Sequence, residues 1–255
     1  MTYFKTFLQE PTAGTTLLID GDLYLYRACA AAEEEVDWGE DVWSLSTDLK
    51  VAKKIFQDTI DSVCEHLETP HFIVCLSDRD NFRKDVDANY KGGRKKVRKP
   101  VGYPAMVQWV KDTFRWYCEP MLEADDIMGI MASAPGHSTL IVSDDTDTKC
   151  IPASLYRPTT GELLVTNERT ADYNFLTQAL MGDVTDGYSG CPKIGLVTAK
   201  KILDKNPSWS AVVAAYQKQN LNETYALTQA RLARILRYSD WDLEGRQIKL
   251  WEPKR

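Results

Sequence analysis

Histidine is nearly absent, with three in 255 residues, and the six cysteines (Cys29, Cys64, Cys75, Cys118, Cys150 and Cys191) are scattered without a C-x-x-C pair. Those two shortages exclude the common zinc centres, which need clustered thiolates and imidazoles. Dispersed cysteines also read as reduced thiols of a cytoplasm, not as a disulfide framework. No apolar run approaches the ~20 residues that cross a bilayer. The opening MTYFKTFLQEPTAG lacks a basic stretch followed by an apolar one, so no export signal is expected either. A cytoplasmic protein with no membrane partner is the expectation. No repeat, low-complexity segment or clear linker interrupts residues 1–255, which are expected to form one domain with a sizeable core.

What is present is a run of short apolar segments that end in acids. TLLID (16–20), HFIVCLSD (71–78) and STLIVSDD (138–145) read as buried strands. Between them, residues 23–35, 48–67, 104–117 and 121–133 read as helices. The second of these shows an apolar stripe of Val51, Ile55, Ile60, Val63 and Leu67, and the last turns Ile127, Ile130 and Met131 to one face. Residues 79–103 are polar and basic with Gly92-Gly93 and Pro100 as breakers, a long excursion. SLYRPTTGELLVT reads as a hairpin around Thr160-Gly161, and the chain beyond it is helical. Alternating strands and helices predict an α/β fold with a mostly parallel central sheet. In such sheets sites gather at the carboxyl ends of strands, so acids distant in sequence converge on one rim.

Nine carboxylates are candidates for that rim: Asp20, Asp78, Glu123, Asp125, Asp126, Asp145, Asp147, Asp183 and Asp186. Singly, each has a plain reading, as an N-cap or as charge placed at a helix start. In SDDTD, residues two apart in extended chain share a face, so Asp145 and Asp147 can point together. Carboxylates crowded without a cation are pushed towards protonation. A set of oxygen ligands with no His or Cys selects a hard divalent ion, Mg²⁺ or Mn²⁺. Two such ions suit in-line attack on a phosphodiester.

The net charge of −6 argues against a nucleic-acid partner, but it is unevenly distributed. KGGRKKVRK (91–99) holds six basic residues and no acid, and removing the nine acids takes the chain from −6 to +3. A basic run beside an acidic site suits the gripping of phosphate. Gly187, Gly190, Pro192 and Gly195 then make turns before a helix with Thr198, Lys200 and Lys201. Backbone N–H groups at such a helix start hold phosphate without reading sequence.

Together, LLIDGDLYLYR, CLSD, NYKGGR, MLEADDIMG, SDDTDTKCI and MGDVTDGYSGCPKIG resemble, in order, the flap endonuclease or 5′-nuclease superfamily, with its PIN-like fold. The resemblance covers roughly residues 16–205. The closing ARLARILRYSDWD and IKLWEP are similar to the replicative 5′→3′ exonucleases of short-tailed bacteriophages. The resemblance implies a metal-dependent 5′→3′ exonuclease acting on duplex DNA with a 5′ end. Flaps, RNA–DNA hybrids and phage replication proteins are further partners it brings with it. It implies two ions held by Asp20, Asp78, Glu123, Asp125, Asp145, Asp147, Asp183 and Asp186, with Asp126 adjacent. The family's S-x-D-x-D falls on Ser143, Asp145 and Asp147, which leaves Asp144 as the spacer.

Catalysis would also use Lys91 and Arg94, from a basic helical arch over 79–103. Arg27, Arg83, Lys91, Arg94, Lys95, Lys96 and Arg98 would contact DNA, as would Gly190, Lys193, Gly195, Lys200 and Lys201. The last five belong to a helix-three-turn-helix over 182–204, which in the family holds duplex DNA, sometimes around K⁺. Lys193 stands where that turn usually has glycine. Residues 205–255 form a C-terminal helical segment and tail. The rival reading is a haloacid-dehalogenase-type phosphatase, with Asp20 of IDGDLY as covalent nucleophile. That reading leaves EADD, the 91–99 run and the glycine turn without roles.

Overall fold

The protein is described from a computed structural model over residues 3–9, 14–93 and 98–254. Its centre is strand β1 (Thr16–Asp20), buried at all five positions. It runs parallel to β4 (Phe72–Cys75) on one side and β6 (Thr139–Val142) on the other. β5 (Trp116–Tyr117) lies outside β4, and β7 (Ser154–Arg157) outside β6, both parallel. β8 (Glu162–Val165) closes the far edge antiparallel to β7, the hairpin expected around Thr160-Gly161. The order is β5-β4-β1-β6-β7-β8.

Successive strand residues face opposite sides of a sheet, and helices cover both. Leu18, Ile73 and Ile141 pack with α1 (Tyr3–Gln9) and α6 (Ala124–Ala132). Leu17, Ile19, Val74 and Val142 pack with α2 (Gly21–Ala31), α3 (Leu49–His66) and α5 (Tyr103–Thr113). Each large side chain fully buried here contributes about 1.5–3 kcal/mol. A third core joins α7 (Glu168–Met181), α8 (Leu196–Leu203), α9 (Trp209–Gln217) and α10 (Glu223–Ala233) around Phe175 and Tyr216. Tyr90 and Cys150 belong to that core and tie it to the sheet. No described helix is long and apolar enough to cross a membrane.

The chain leaves β1 for β4 and β5 on one side, then returns to β6 on the other. The carboxyl ends of β1 and β6 therefore flank the switch point where α/β sheets open a crevice. Asp20 ends one strand and Ser143 follows the other, and the Ser143 hydroxyl donates to Asp20 Oδ2 at 2.7 Å across the opening.

Three expected elements differ. The helix expected to run to residue 35 stops at Ala31, and 33–47 form a hairpin of β2 (Glu33–Asp37) and β3 (Trp43–Thr47). Three consecutive glutamates at a helix C-terminus oppose its dipole, and Gly39 supplies the turn at φ +82°. The helix over 104–117 stops at Thr113, because Trp116 and Tyr117 pair with β4 as an edge strand. On α3 the buried stripe is Ala52, Phe56, Ile60 and Val63, while Val51 is exposed. Within the 79–103 excursion, α4 (Arg83–Val86) is a single turn.

Candidate active site

A cleft of about 460 Å³ opens at the carboxyl edge, and Asp20, Glu123, Asp125, Asp145, Asp147, Asp183 and Asp186 line it. Local hydrogen bonds aim each acid. Asp20 caps α2 by accepting from Leu23 N at 3.1 Å. Glu123 is the N-cap of α6, which puts Asp125 in its first turn. Asp145 and Asp147 were expected to share one face of extended chain; instead the chain turns after β6, and the turn brings both to the cleft. Asp145 N donates to Ser143 Oγ at 3.1 Å and Asp147 N donates to Asp145 Oδ1 at 2.9 Å, leading into a 3-10 turn over Asp147–Cys150. Asp183 Oδ1 accepts from Thr185 N and Asp186 N at 2.6 and 3.0 Å, folding GDVTD into a turn that presents both acids.

The charge is unevenly compensated. Burial raises the Glu123 carboxyl, but Arg83 and Lys91 outweigh burial and hold it down at about 2. Lys91 Nζ pairs with Glu123 Oε1 and stands 3.7 Å from Asp186 Oδ2. Tyr90 donates its hydroxyl to both acids, at 3.1 Å to Glu123 and 2.8 Å to Asp186. Elsewhere the balance reverses. Burial first, then neighbouring acids, push Asp20 and Asp147 up to about 7 and Asp125 well above the usual carboxylate range.

That imbalance tests the cleft for a metal. Among the described residues, no three carboxylate, imidazole or thiol groups are already closed around one point. The donor chemistry nevertheless fits a hard cation: every lining acid supplies oxygen, and the cleft has no His or Cys in its walls. One ammonium, from Lys91, already sits between two of the acids.

Three expected site residues fall elsewhere. Asp126 is fully buried and takes two hydrogen bonds of 2.7 Å from Arg83, plus one of 3.0 Å from Leu236 N. It is a structural anion. Arg83, expected at DNA, is 2% exposed and also donates to the carbonyls of Leu232 and Arg234. Its guanidinium is consumed inside the protein. Asp78 accepts from Met121 N at 2.9 Å and does not line the cleft, where Ser77, just beyond β4, forms part of the wall.

Of the basic candidates, Lys91 lines the cleft, while Arg94, Lys95 and Lys96 lie outside the described residues. Arg98 is bound through both terminal nitrogens to Glu33 of β2. Half-exposed Arg27 pairs with Asp144, the spacer acid, which also accepts from Thr159 N at 3.0 Å. Asp144 thus ties the β7–β8 turn to α2. Lys193 is exposed before the start of α8, and Lys200 and Lys201 are exposed in its last turn. Gly190 has φ +63°, and a Cβ there would overlap the backbone of Met181 and Gly182. Lys193, in the usual glycine position, adopts φ +63°. Gly195 differs: at φ −97° with open space around it, it is not strained, so only close approach of a ligand can require glycine there.

The sequence reading missed Asp22, Tyr103 and Gln178. Asp22 lines the cleft and accepts from Tyr103 Oη at 3.1 Å. Its signal was the D-x-D spacing of IDGD, which on the first turn of a helix puts both acids at one end. Gln178 donates to Asp147 from α7, and nothing local in the sequence marks it.

Asp20 as a covalent nucleophile fits poorly. It is 5% exposed, both its oxygens accept hydrogen bonds, and its raised pKa disfavours the carboxylate.

Comparison with known proteins gives one consistent answer. Residues 15–169 match the family described as 5′-3′ exonuclease, N-terminal resolvase-like domain. The chain is 32% identical to the exonuclease of Escherichia phage T7, over 93% of each protein. It is also 32% identical to the exodeoxyribonuclease of Enterobacteria phage T3, again over 93% of each. Its fold superposes on the bacteriophage T5 5′-exonuclease, solved with zinc ions bound, at a TM-score of 0.63 and 16% identity, covering 86% of this chain and 89% of that one. With its acids gathered at the switch point of a parallel sheet and these relatives along nearly its whole length, this chain belongs to the 5′-3′ exonuclease family.

Proposed function

We propose that the cleft hydrolyses phosphodiester bonds from the 5′ end of duplex DNA, with divalent metal ions as cofactor. The observation that carries this reading is the row of under-compensated acids at the switch point, joined to the family. Asp20, Asp125, Asp145, Asp147, Asp183 and Asp186 would hold two Mg²⁺ or Mn²⁺ ions, with Glu123 between them and Lys91. Such ions make water nucleophilic at neutral pH and stabilise the leaving oxygen. Asp22 lines the same cleft and is held by the Tyr103 hydroxyl. Lys91 is placed to turn from Glu123 towards a scissile phosphate, and the exposed lysines near α8 would hold the duplex backbone without reading its sequence. Lys193 brings its own ammonium to that turn, which weighs against K⁺ there. Flap and RNA-primer substrates, and contacts with replication proteins, extend the same reading.

The test is a time course on duplex DNA carrying an internal label near one 5′ end, with Mg²⁺ and with a chelator. Release of 5′ mononucleotides in Mg²⁺, and none with the chelator, is the expected result. Release of inorganic phosphate alone would replace this reading with the phosphatase.

A further inference from the structure

Two surface features remain without a role in the cleft, and they are complementary. The first is the hairpin β2–β3. Between residues 33 and 47 it carries six acids and no basic residue. It also leaves Trp38 69% and Trp43 53% exposed, with Val36 and Val42 beside them. Apolar side chains held out on a hairpin that joins no other described strand mark a contact surface. Its negative charge repels a nucleic-acid backbone.

The second lies at the β5 edge of the central sheet. There a groove of about 530 Å³ has a floor of Phe4, Phe114 and Trp116 and walls that include Lys111, Arg115 and Arg246. Its single acid among the described residues, Glu119, is 2% exposed and already paired with Arg246. Lys111 Nζ rests 4.7 Å from the Trp116 ring centroid. Among the described residues, no strand pairs with the outer side of β5. The groove therefore offers an aromatic floor and an excess of positive charge among the described residues, in a chain whose net charge is −6.

We infer that the acidic hairpin of one copy docks in the basic aromatic groove of the next. The charges are opposite, and both surfaces carry aromatic side chains. The two patches are different surfaces of one chain, so copies join head-to-tail in open chains, or as a closed pair where two copies exchange the contact reciprocally. The net charge shared by all copies opposes association, so the contact is weak and depends on local complementarity. Glu33 at the hairpin base holds Arg98 and accepts from Val101 N at 2.8 Å. A docked copy would therefore sit beside the stretch that leads to Lys99 at the cleft mouth.

Sedimentation velocity on the DNA-free protein tests this. The weight-average mass should climb with concentration above that of a monomer. It should fall to that of a monomer when salt is raised from roughly 0.05 M to 0.5 M, which shortens the Debye length more than threefold. The groove variant K111E/R115E and the hairpin variant E34K/E35K should each stay monomeric at low salt. An equimolar mixture of the two should associate again, since each then offers the other an oppositely charged partner. Neither pair lines the cleft, so cleavage of a short oligonucleotide at dilute protein should be unchanged and doubles as the check on folding. A wild-type monomer at every concentration would overturn the inference. So would association that both variants retain, or a mixture that stays monomeric.

Discussion

Asp125 and Asp126 are neighbours on the first turn of one helix, and their surroundings are opposite. Asp126 is sealed against a guanidinium that the fold supplies, with two hydrogen bonds of 2.7 Å. Asp125 faces the cleft, makes no ion pair among the described residues, and is driven towards protonation by burial and by Asp20 and Asp145. The same contrast divides the cleft. Glu123 and Asp186 share Lys91, while Asp20 and Asp147 have neighbouring acids and no cation of their own. Where charge serves architecture the chain provides the counter-ion. Where charge serves chemistry it leaves one to be bound.

The sharpest way to break that comparison is to neutralise each neighbour in turn. Asp125→Asn should lower turnover by about 10²-fold or more, as loss of charge stabilisation at the reacting centre does. Its metal-free melting temperature should hold or rise, because repulsion is removed. Asp126→Asn should destabilise the protein by about 3–5 kcal/mol, since it strands a buried guanidinium. Turnover per folded molecule and calorimetric melting, measured on both, decide the matter. Equal loss of stability in both variants would erase the distinction.

A smaller effect tests the uncompensated half. Asp20 and Asp147 titrate near 7 when folded and near 3.8 unfolded, so the folded state binds more protons between those values. The metal-free protein should therefore gain stability as pH falls from about 8 to about 5.5, and lose it as pH rises through 7. Saturating Mg²⁺ should raise the melting temperature most at pH 8 and least at pH 5.5, because proton and ion compete for the same oxygens. A metal-induced shift independent of pH would mean the ion binds elsewhere.

The smallest change concerns the cation that straddles both halves. Lys91→Met should cost under about 1 kcal/mol of stability, as expected for a partly exposed pair. It should tighten Mg²⁺ binding by calorimetry, since the ammonium no longer competes for Glu123 and Asp186, and yet slow cleavage. Weaker metal binding would show that Lys91 builds the site instead of occupying it.

Much of the site was legible because strand-end acids are a local signal with a global consequence. TLLID and STLIVSDD are apolar runs long enough to be strands, and parallel strands must end on the same edge. Asp126 and Arg83 were misplaced because their pairing joins residues 43 apart and is sealed by carbonyls at 232 and 234. No local pattern distinguishes an acid that faces such a partner from one that faces solvent. Residues 33–35 read as the end of a helix because AAAEEE has strong helix formers, and the cross-strand pairing that overrides them lies ten or more residues on. Asp22 went unassigned because its place depends on how α2 starts directly from β1.

The bonds that close Arg83 and Asp126 also impose an order in time. Their last partners are Leu232 O, Arg234 O and Leu236 N, which lie 110 to 151 residues further along the chain. A ribosome delivers Asp20 long before residue 236. Until residues 232–236 have been made, the guanidinium and carboxylate beneath α6 have each other but not the backbone groups that fix them. A chain stopped short of residue 232 would carry every acid of the cleft without the clamp that sets Glu123 and Asp125 in place. The acidic rim therefore acquires its final geometry only after residues 232–236 have been made and have folded back beneath α6.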